Sequence, residues 1–251
     1  MPANINGGTT NFPNGVTNVG TLNTGATTTL QSYVAQDPSR VHQWFDDFDD
    51  YVAGNWTITE TGTGTRAVGN IDGGVLVITN AAADNDCNFL QWSGATNAST
   101  VETWTWESTQ AMWFKARFKV SDATQSDFVM GLQITDTTPL DAADGLFFQK
   151  DDGSTALYFT AIKTGVGSTV VSSLATIADN TYFTCGFWWD PVLGVLTLYY
   201  NGNPVGSISS TTNFPTRTLT LSFGIQNGEG AAKSMSVDFI MIGKDRLTNR
   251  A

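Results

Sequence analysis

The stretch at residues 111–120, AMWFKARFKV, decides the fold class, because its apolar and polar side chains alternate at every second position. The apolar set consists of Met112, Phe114, Ala116, Phe118 and Val120. The set between them consists of Trp113, Lys115, Arg117 and Lys119. Successive side chains of a strand point to opposite faces, so this pattern predicts a strand with one buried and one solvated face.

Residues 218–225, TLTLSFGI, alternate in the same way, with Thr218, Thr220 and Ser222 expected to face solvent. Short apolar runs predict further strands at residues 56–60, 75–80, 87–92, 128–134, 145–150, 155–162, 168–174, 181–189, 194–200, 204–209 and 234–242. Asp-Gly and Asn-Gly pairs between these runs, such as 201–202 and 227–228, are typical of hairpin turns. The pattern predicts one antiparallel β-sandwich or barrel over residues 41–251.

Residues 1–40 differ from the rest, because they are rich in Asn, Gly and Thr and their first charged side chain is Asp37. Such a segment cannot bury enough apolar surface to form its own core. We interpret it as an extended N-terminal arm that lies along another protein, the alternative being a disordered terminus. Its expected anchors are Ile5, Phe12, Val16, Val19 and Leu22.

The charge balance excludes several partners. Only 14% of the 251 residues are charged, and the formal net charge is −11. Nucleic acid and anionic lipid both require clustered cations, so we expect no direct binding to nucleic acid or to a membrane. The start, MPANINGGTT, lacks the basic and apolar regions of a signal peptide, which predicts synthesis in a cytoplasm.

Cysteine and histidine are scarce. Cys87, Cys185 and the single His42 show no zinc-binding spacing. Both cysteines lie in apolar runs, so we expect buried free thiols, and a disulfide stays open if the two strands are neighbours.

Several of these stretches resemble the concanavalin A-like lectin/glucanase (laminin G-like) jelly-roll superfamily. They are residues 45–56 (FDDFDDYVAGNW), 113–122 (WFKARFKVSD), 131–136 (GLQITD), 145–154 (GLFFQKDDGS) and 236–246 (SVDFIMIGKDR). The resemblance implies an antiparallel jelly-roll β-sandwich over about residues 42–246. It does not choose an activity, because this fold hosts lectins, glycosidases and structural modules.

The resemblance to glycosidases implies a Glu-x-Asp-x-x-Glu strand that brings two carboxylates close together. The four glutamates are Glu60, Glu102, Glu107 and Glu229, and none forms this pattern. Glu102 and Glu107 are five positions apart, which places them on opposite faces of a regular strand. On this ground we predict a protein that is not an enzyme.

Acidic clusters leave a structural calcium open, although we expect no cofactor. They are Asp46, Asp47, Asp49 and Asp50, then Asp141 with Asp144, and Asp151 with Asp152. Calcium prefers several carboxylate and carbonyl oxygens. The alternative is that these aspartates cap turns.

Two groups of residues are candidate contacts with a partner or a glycan. Trp104 and Trp106 lie in the polar stretch TWTWES and are expected to be exposed. Trp113, Lys115, Arg117 and Lys119, which we call the basic stripe, are suited to an acidic partner. Core packing and a solvated strand face are the respective alternatives.

The arm, the missing signal peptide, the weakly charged surface and the jelly roll together resemble virion proteins of tailed bacteriophages. The resemblance implies a capsid decoration or tail-associated protein that contacts the major capsid protein or other virion proteins, or self-associates. Many weak contacts on a repeated lattice would provide avidity. The alternative is a carbohydrate-binding adhesin module of a tail or cell surface.

Overall fold

The computed structural model describes residues 41–94 and 102–246. Within these residues sixteen strands and two short 3-10 turns occur. The strands are β1 (Val41–Asp46), β2 (Trp56–Thr61), β3 (Thr65–Val68), β4 (Leu76–Thr79), β5 (Cys87–Trp92), β6 (Trp104–Thr105), β7 (Met112–Val120), β8 (Ser126–Gln133), β9 (Gly145–Lys150), β10 (Ala156–Lys163), β11 (Gly167–Thr176), β12 (Phe183–Asp190), β13 (Val195–Tyr200), β14 (Asn203–Ile208), β15 (Thr218–Asn227) and β16 (Ser234–Asp245). The 3-10 turns are Ala53–Asn55 and Pro139–Asp141.

Two antiparallel eight-stranded sheets enclose the core. Sheet A has the order β14-β13-β12-β7-β16-β4-β3, and β1 also pairs with β16. Sheet B has the order β11-β10-β9-β8-β15-β5-β2, and β6 also pairs with β15. The chain changes sheets repeatedly, for example from β7 in sheet A to β8 in sheet B. The predicted antiparallel jelly-roll sandwich is therefore confirmed.

The core forms where the inner faces of the two sheets meet. In β7 the buried and partly buried positions alternate without exception, as residues 111–120 predict. The rings of Phe118 and Phe183, both in sheet A, have centroids 4.5 Å apart. The ring of Phe128 in sheet B lies 5.3 Å from that of Phe118. Aromatic rings from both sheets thus fill the space between them, as tilted and edge-to-face pairs do in protein interiors.

One predicted solvent face is wrong. Thr220 and Ser222 of β15 are both 0% exposed, although the alternation of residues 218–225 predicts that they face water. Sheet B is buried on both sides at this strand, because a second, smaller apolar cluster lies on its outer face. The strand's own sequence does not reveal what covers it.

Cys87 and Cys185 are buried free thiols, as expected, and they lie in different sheets. Burial raises the pKa of the Cys185 thiol well above its ordinary value, because the thiolate would lose its hydration. Over residues 41–94 and 102–246, no helix is long and apolar enough to cross a membrane.

Candidate functional site

The outer face of sheet B, which points away from the core, carries the candidate site. Strand register places one residue from each of four neighbouring strands in a row across this face. In order they are Gly224 of β15, Val129 of β8, Gln149 of β9 and Tyr158 of β10. Gly224 and Val129 belong to the buried middle of the sheet, whereas Gln149 and Tyr158 are partly exposed. The face therefore changes from covered to open along a single row.

Residues 134–144, the β8–β9 connection, lie on the middle of this face, and we call them the covering segment. Three glutamine side chains of sheet B hold its backbone. Gln91 Nε2 donates to the Ile134 carbonyl at 3.1 Å, and Gln91 Oε1 accepts from the Asp136 N–H at 3.0 Å. Gln133 Nε2 donates to the Pro139 carbonyl at 2.8 Å. Gln149 Nε2 donates to the Leu140 carbonyl at 3.3 Å.

Under the covering segment lies the second apolar cluster. It consists of Cys87, Phe89, Val129 and Phe147, with Leu140 and Ile162 packed against it. Two glycines make room for its rings. A Cβ atom at Gly131 would lie 2.7 Å from the Phe147 Cβ atom, and one at Gly224 would lie 2.6 Å from Phe89 Cδ1. Both distances are closer than van der Waals contact allows, so a side chain at either glycine would clash with the phenylalanine opposite it and with the backbone of the neighbouring strand.

Beyond the covering segment, four polar side chains gather where β8, β9 and β10 meet. We call this group, Asp127, Gln149, Asp151 and Tyr158, the open end. The Tyr158 hydroxyl donates to Asp151 Oδ1, and Gln149 Nε2 lies 3.5 Å from the same oxygen. Asp127 Oδ1 accepts the Asp152 backbone N–H at 2.8 Å. Two carboxylates, an amide and a phenol are thus presented on one patch.

Burial raises the pKa values of two members of the open end, Asp127 and Tyr158. It raises the pKa of Asp127 above its ordinary value, although the hydrogen bond from the Asp152 N–H opposes the shift. The pKa of Tyr158 is raised mainly by burial and then by its bond to Asp151, which holds the hydroxyl in the donating form. At neutral pH the phenol therefore stays protonated and can serve only as a neutral hydrogen-bond donor and acceptor.

Lys150 ends β9 on the core side of the same region, and its Nζ donates to the carbonyls of Ala123 and Thr124 at 2.8 and 3.2 Å. Burial lowers the pKa of this ammonium group to about 8. Between pH 8 and the unfolded value of about 10.4, the unfolded chain binds more protons than the folded one, so folding stability rises with pH.

We expect the unfolding free energy of the wild type to increase relative to that of Lys150→Met between pH 7 and 10, as followed by urea denaturation. Lys150→Met serves as the reference because it lacks the titrating amine. A difference between the wild type and Lys150→Met that stays constant over this pH range would contradict the lowered pKa.

The predicted exposure of the tryptophans is wrong for Trp104, which is 3% exposed. The polar residues around Trp104 gave no indication of these contacts. In the structure β6 pairs with β15, where Trp104 lies opposite Leu219, and the Trp104 ring stacks on His42 with centroids 4.0 Å apart. Trp106 is partly buried, and its ring lies 5.2 Å from Trp189 and 4.9 Å from Phe214. Both rings pack against the body of the sandwich.

The basic stripe lies on the outer face of sheet A, on the far side of the sandwich from the open end. Arg117 forms an ion pair with Asp238 and lies 4.5 Å from the centre of the Tyr182 ring. Lys119 lies over the same ring at 5.0 Å. Neighbouring side chains thus engage these cations, and their contact with a partner stays a prediction, as does that of Trp113 and Lys115.

Two aspartates of the acidic clusters accept backbone N–H groups in the structure. Asp46 Oδ1 accepts the Phe48 N–H at 2.8 Å, and Asp144 accepts the Thr164 N–H at 3.1 Å. In the part of the chain that the structure describes, no three His, Cys, Asp or Glu side chains form a group that could hold a metal ion. The arm anchors Ile5, Phe12, Val16, Val19 and Leu22 fall outside the described residues, so the attachment role stays a prediction.

No family model and no curated protein matches this chain. Solved structures do. An endo-1,3-β-glucanase from Streptomyces sioyaensis has a TM-score of 0.56 and 13% identity, covering 84% of this chain and 99% of that one. An endo-β-1,4-glucuronan lyase from Trichoderma reesei has a TM-score of 0.55 and 10% identity, covering 80% and 94%. The carbohydrate recognition domain of Emp47p has a TM-score of 0.55 and 13% identity, covering 85% and 100%.

At these identities the likeness shows the fold alone, which is the concanavalin A-like jelly roll of glucanases and lectins. The prediction that the chain is not an enzyme is contradicted by the glucanases and the lyase among these structures. It rested on one glutamate pattern, and the absence of that pattern does not exclude other glycan-cleaving chemistry on the same fold. Of the open end, the sequence singled out only Asp151, as part of an acidic cluster, because the members of the open end are spread over residues 127–158.

Proposed function

We propose that this protein binds a neutral glycan at the open end of sheet B. The observation that carries the proposal is the patch formed by Asp127, Gln149, Asp151 and Tyr158. Carboxylates and amides bind sugar hydroxyls through paired acceptors and donors, and an aromatic ring offers an apolar surface to the C–H face of a sugar. Glucanases and a carbohydrate recognition domain among the structures of the same fold support a sugar ligand.

Charge selects the class of glycan. Asp127, Asp151 and the adjacent Asp152 gather negative charge at the open end, and the whole chain carries a formal net charge of −11. An acidic polysaccharide would therefore meet like charge, which is unfavourable wherever the groups are partly desolvated. A neutral glucan avoids this repulsion and still uses the carboxylates as hydrogen-bond acceptors.

Affinity measurements by isothermal titration calorimetry test the proposal, with laminari-oligosaccharides, mixed-linkage β-glucan and glucuronan as the probes. We expect a neutral glucan to bind and glucuronan to bind more weakly. Tyr158→Ala should lower the affinity about 10-fold or more, because truncation of an aromatic contact typically costs about 2 kcal/mol. Tyr182→Ala, on the outer face of sheet A, is the matched control and should leave the affinity unchanged.

Loss of affinity in both tyrosine variants, or in neither, would place the site elsewhere, and failure of all probes to bind would overturn the proposal. The same incubations are analysed for new chain ends, because two carboxyl groups at one site are the groups that glycoside hydrolysis requires. If cleavage occurs, Asp127→Asn and Asp151→Asn should each abolish it.

A further inference from the structure

We infer that the covering segment closes the middle of sheet B, so that a glycan enters the open end by its chain terminus instead of lying across the sheet. This inference rests on the proposed function and specifies which part of the glycan is recognised. Strands lie about 4.8 Å apart, so a chain that crossed from β5 to β10 would need roughly 19 Å of accessible face. The burial and the hydrogen bonds of the covering segment decide whether that face is accessible.

The segment is fixed at three places along its length. Gln91 binds its beginning at Ile134 and Asp136, Gln133 binds Pro139, and Gln149 binds Leu140. Gln91 and Gln133 are themselves fully buried, and Ser222 links them, because its Oγ donates to Gln133 Oε1 at 2.6 Å and lies 3.3 Å from Gln91 Nε2. Opening the segment would exchange these hydrogen bonds for hydrogen bonds to water, which costs about 0.5–1.5 kcal/mol for each bond, and would expose the apolar cluster beneath.

The face beneath the segment is closed to a ligand. Val129 and Ser222 are fully buried and Phe147 almost so, although all three point outward from sheet B. Leu140 packs on the apolar cluster there. A glycan that lay across the strands would have to displace Leu140 and uncover the apolar cluster beneath it. The middle of the face therefore cannot bind an internal segment of a glycan while the covering segment is in place.

Gln149 marks the boundary between the two parts of the face. Its Nε2 donates to the Leu140 carbonyl and lies 3.5 Å from Asp151 Oδ1 of the open end. The Gln149 amide therefore binds the covering segment and also borders the open end. A sugar bound at Tyr158 and Asp151 would contact the covering segment on the side of β9. This arrangement suits the terminal sugar unit of a glycan whose chain continues away from the sheet.

Titration of laminari-oligosaccharides of increasing length, and of a cyclic β-1,3-glucan that has no chain ends, tests the inference. We expect the affinity per chain end to be the same for short and long oligosaccharides, and the cyclic glucan to bind at least 10-fold more weakly. Affinity that rises steadily with length, or equal binding of the cyclic glucan, would overturn the inference and leave the proposed function standing. Failure of every probe would overturn both.

A second measurement does not depend on any glycan. Hydrogen exchange should show the Asp136 N–H strongly protected in the wild type and exchanging at least 10-fold faster in the double variant Gln91→Ala/Gln133→Ala. The same variant should gain affinity for the cyclic glucan, because its middle face is released. Rapid exchange at Asp136 in the wild type would show an open face and overturn the inference, whatever the titrations give.

Discussion

Replacing Phe147 with alanine should lower the unfolding free energy by about 3–5 kcal/mol, as for a phenylalanine of a main core. Phe147 lies on the outer face of sheet B, yet it is only 2% exposed. Its neighbours are Val129 and Phe89 on the sheet and Leu140 of the covering segment. Truncation would leave a cavity that Gly131 and Gly145, both of which lie against the Phe147 side chain, cannot fill, because they carry no side chain. Chemical denaturation monitored by circular dichroism measures the loss.

Phe45→Ala is the matched control, because Phe45 also lies on an outer sheet face but is 58% exposed. Its ring pairs with that of Phe239 in β16 on the outer face of sheet A, with centroids 6.4 Å apart. We expect the unfolding free energy of this variant to fall by about 1 kcal/mol or less, because folding of the chain removes little of the apolar surface of Phe45 from water. Equal losses in the two variants would mean that the covering segment does not bury the face, and the inference of a chain-end site would fail with it.

The strands could be predicted because each carries its signal locally. Residues 111–120 alternate at every second position, and the run at residues 145–150 matches β9 at both ends. Three strands of the described residues were missed because they lack such a signal. In Val41–Asp46 the apolar Trp44 and Phe45 are adjacent and do not alternate. Thr65–Val68 has only two apolar side chains, and Trp104–Thr105 has only two residues, so neither offers a period that a local pattern can reveal.

The candidate site could not be predicted, because it depends on contacts between distant parts of the chain. Gln91, Gln133 and Gln149 look like solvent-facing positions of their strands, and each becomes a binding partner of the covering segment only when the sheet forms. The same effect buries Thr220 and Ser222, which the alternation of residues 218–225 places in water. Period and composition report which face is polar, but not whether another segment lies on it.

Asn227 at the end of β15 illustrates the same limit. Its replacement by alanine should lower the unfolding free energy by about 3–5 kcal/mol, since each buried group left without a partner costs about 1–3 kcal/mol. The Asn-Gly pair at 227–228 predicts only a turn. In the structure the Asn227 side chain is 0% exposed. Its Nδ2 donates to the carbonyls of Ala81 and Ala83, both at 2.8 Å, and its Oδ1 accepts from Asn80 Nδ2 and the Lys233 N–H, both at 3.1 Å.

Another Asn-Gly pair, at 201–202, provides the control. Asn201 is exposed and has a positive φ of 48°, and its side-chain Oδ1 accepts a hydrogen bond from the Thr184 N–H at 2.8 Å. Asn201→Ala should lose only about 1 kcal/mol, mostly from the left-handed backbone that asparagine tolerates better than alanine. Thermal and urea unfolding measure the loss of unfolding free energy in both variants. The comparison distinguishes an ordinary turn residue from a buried residue that connects several loops by hydrogen bonds. If Asn227→Ala loses no more unfolding free energy than Asn201→Ala, the four hydrogen bonds do not stabilise the fold. Asn227 would then act only as a turn residue.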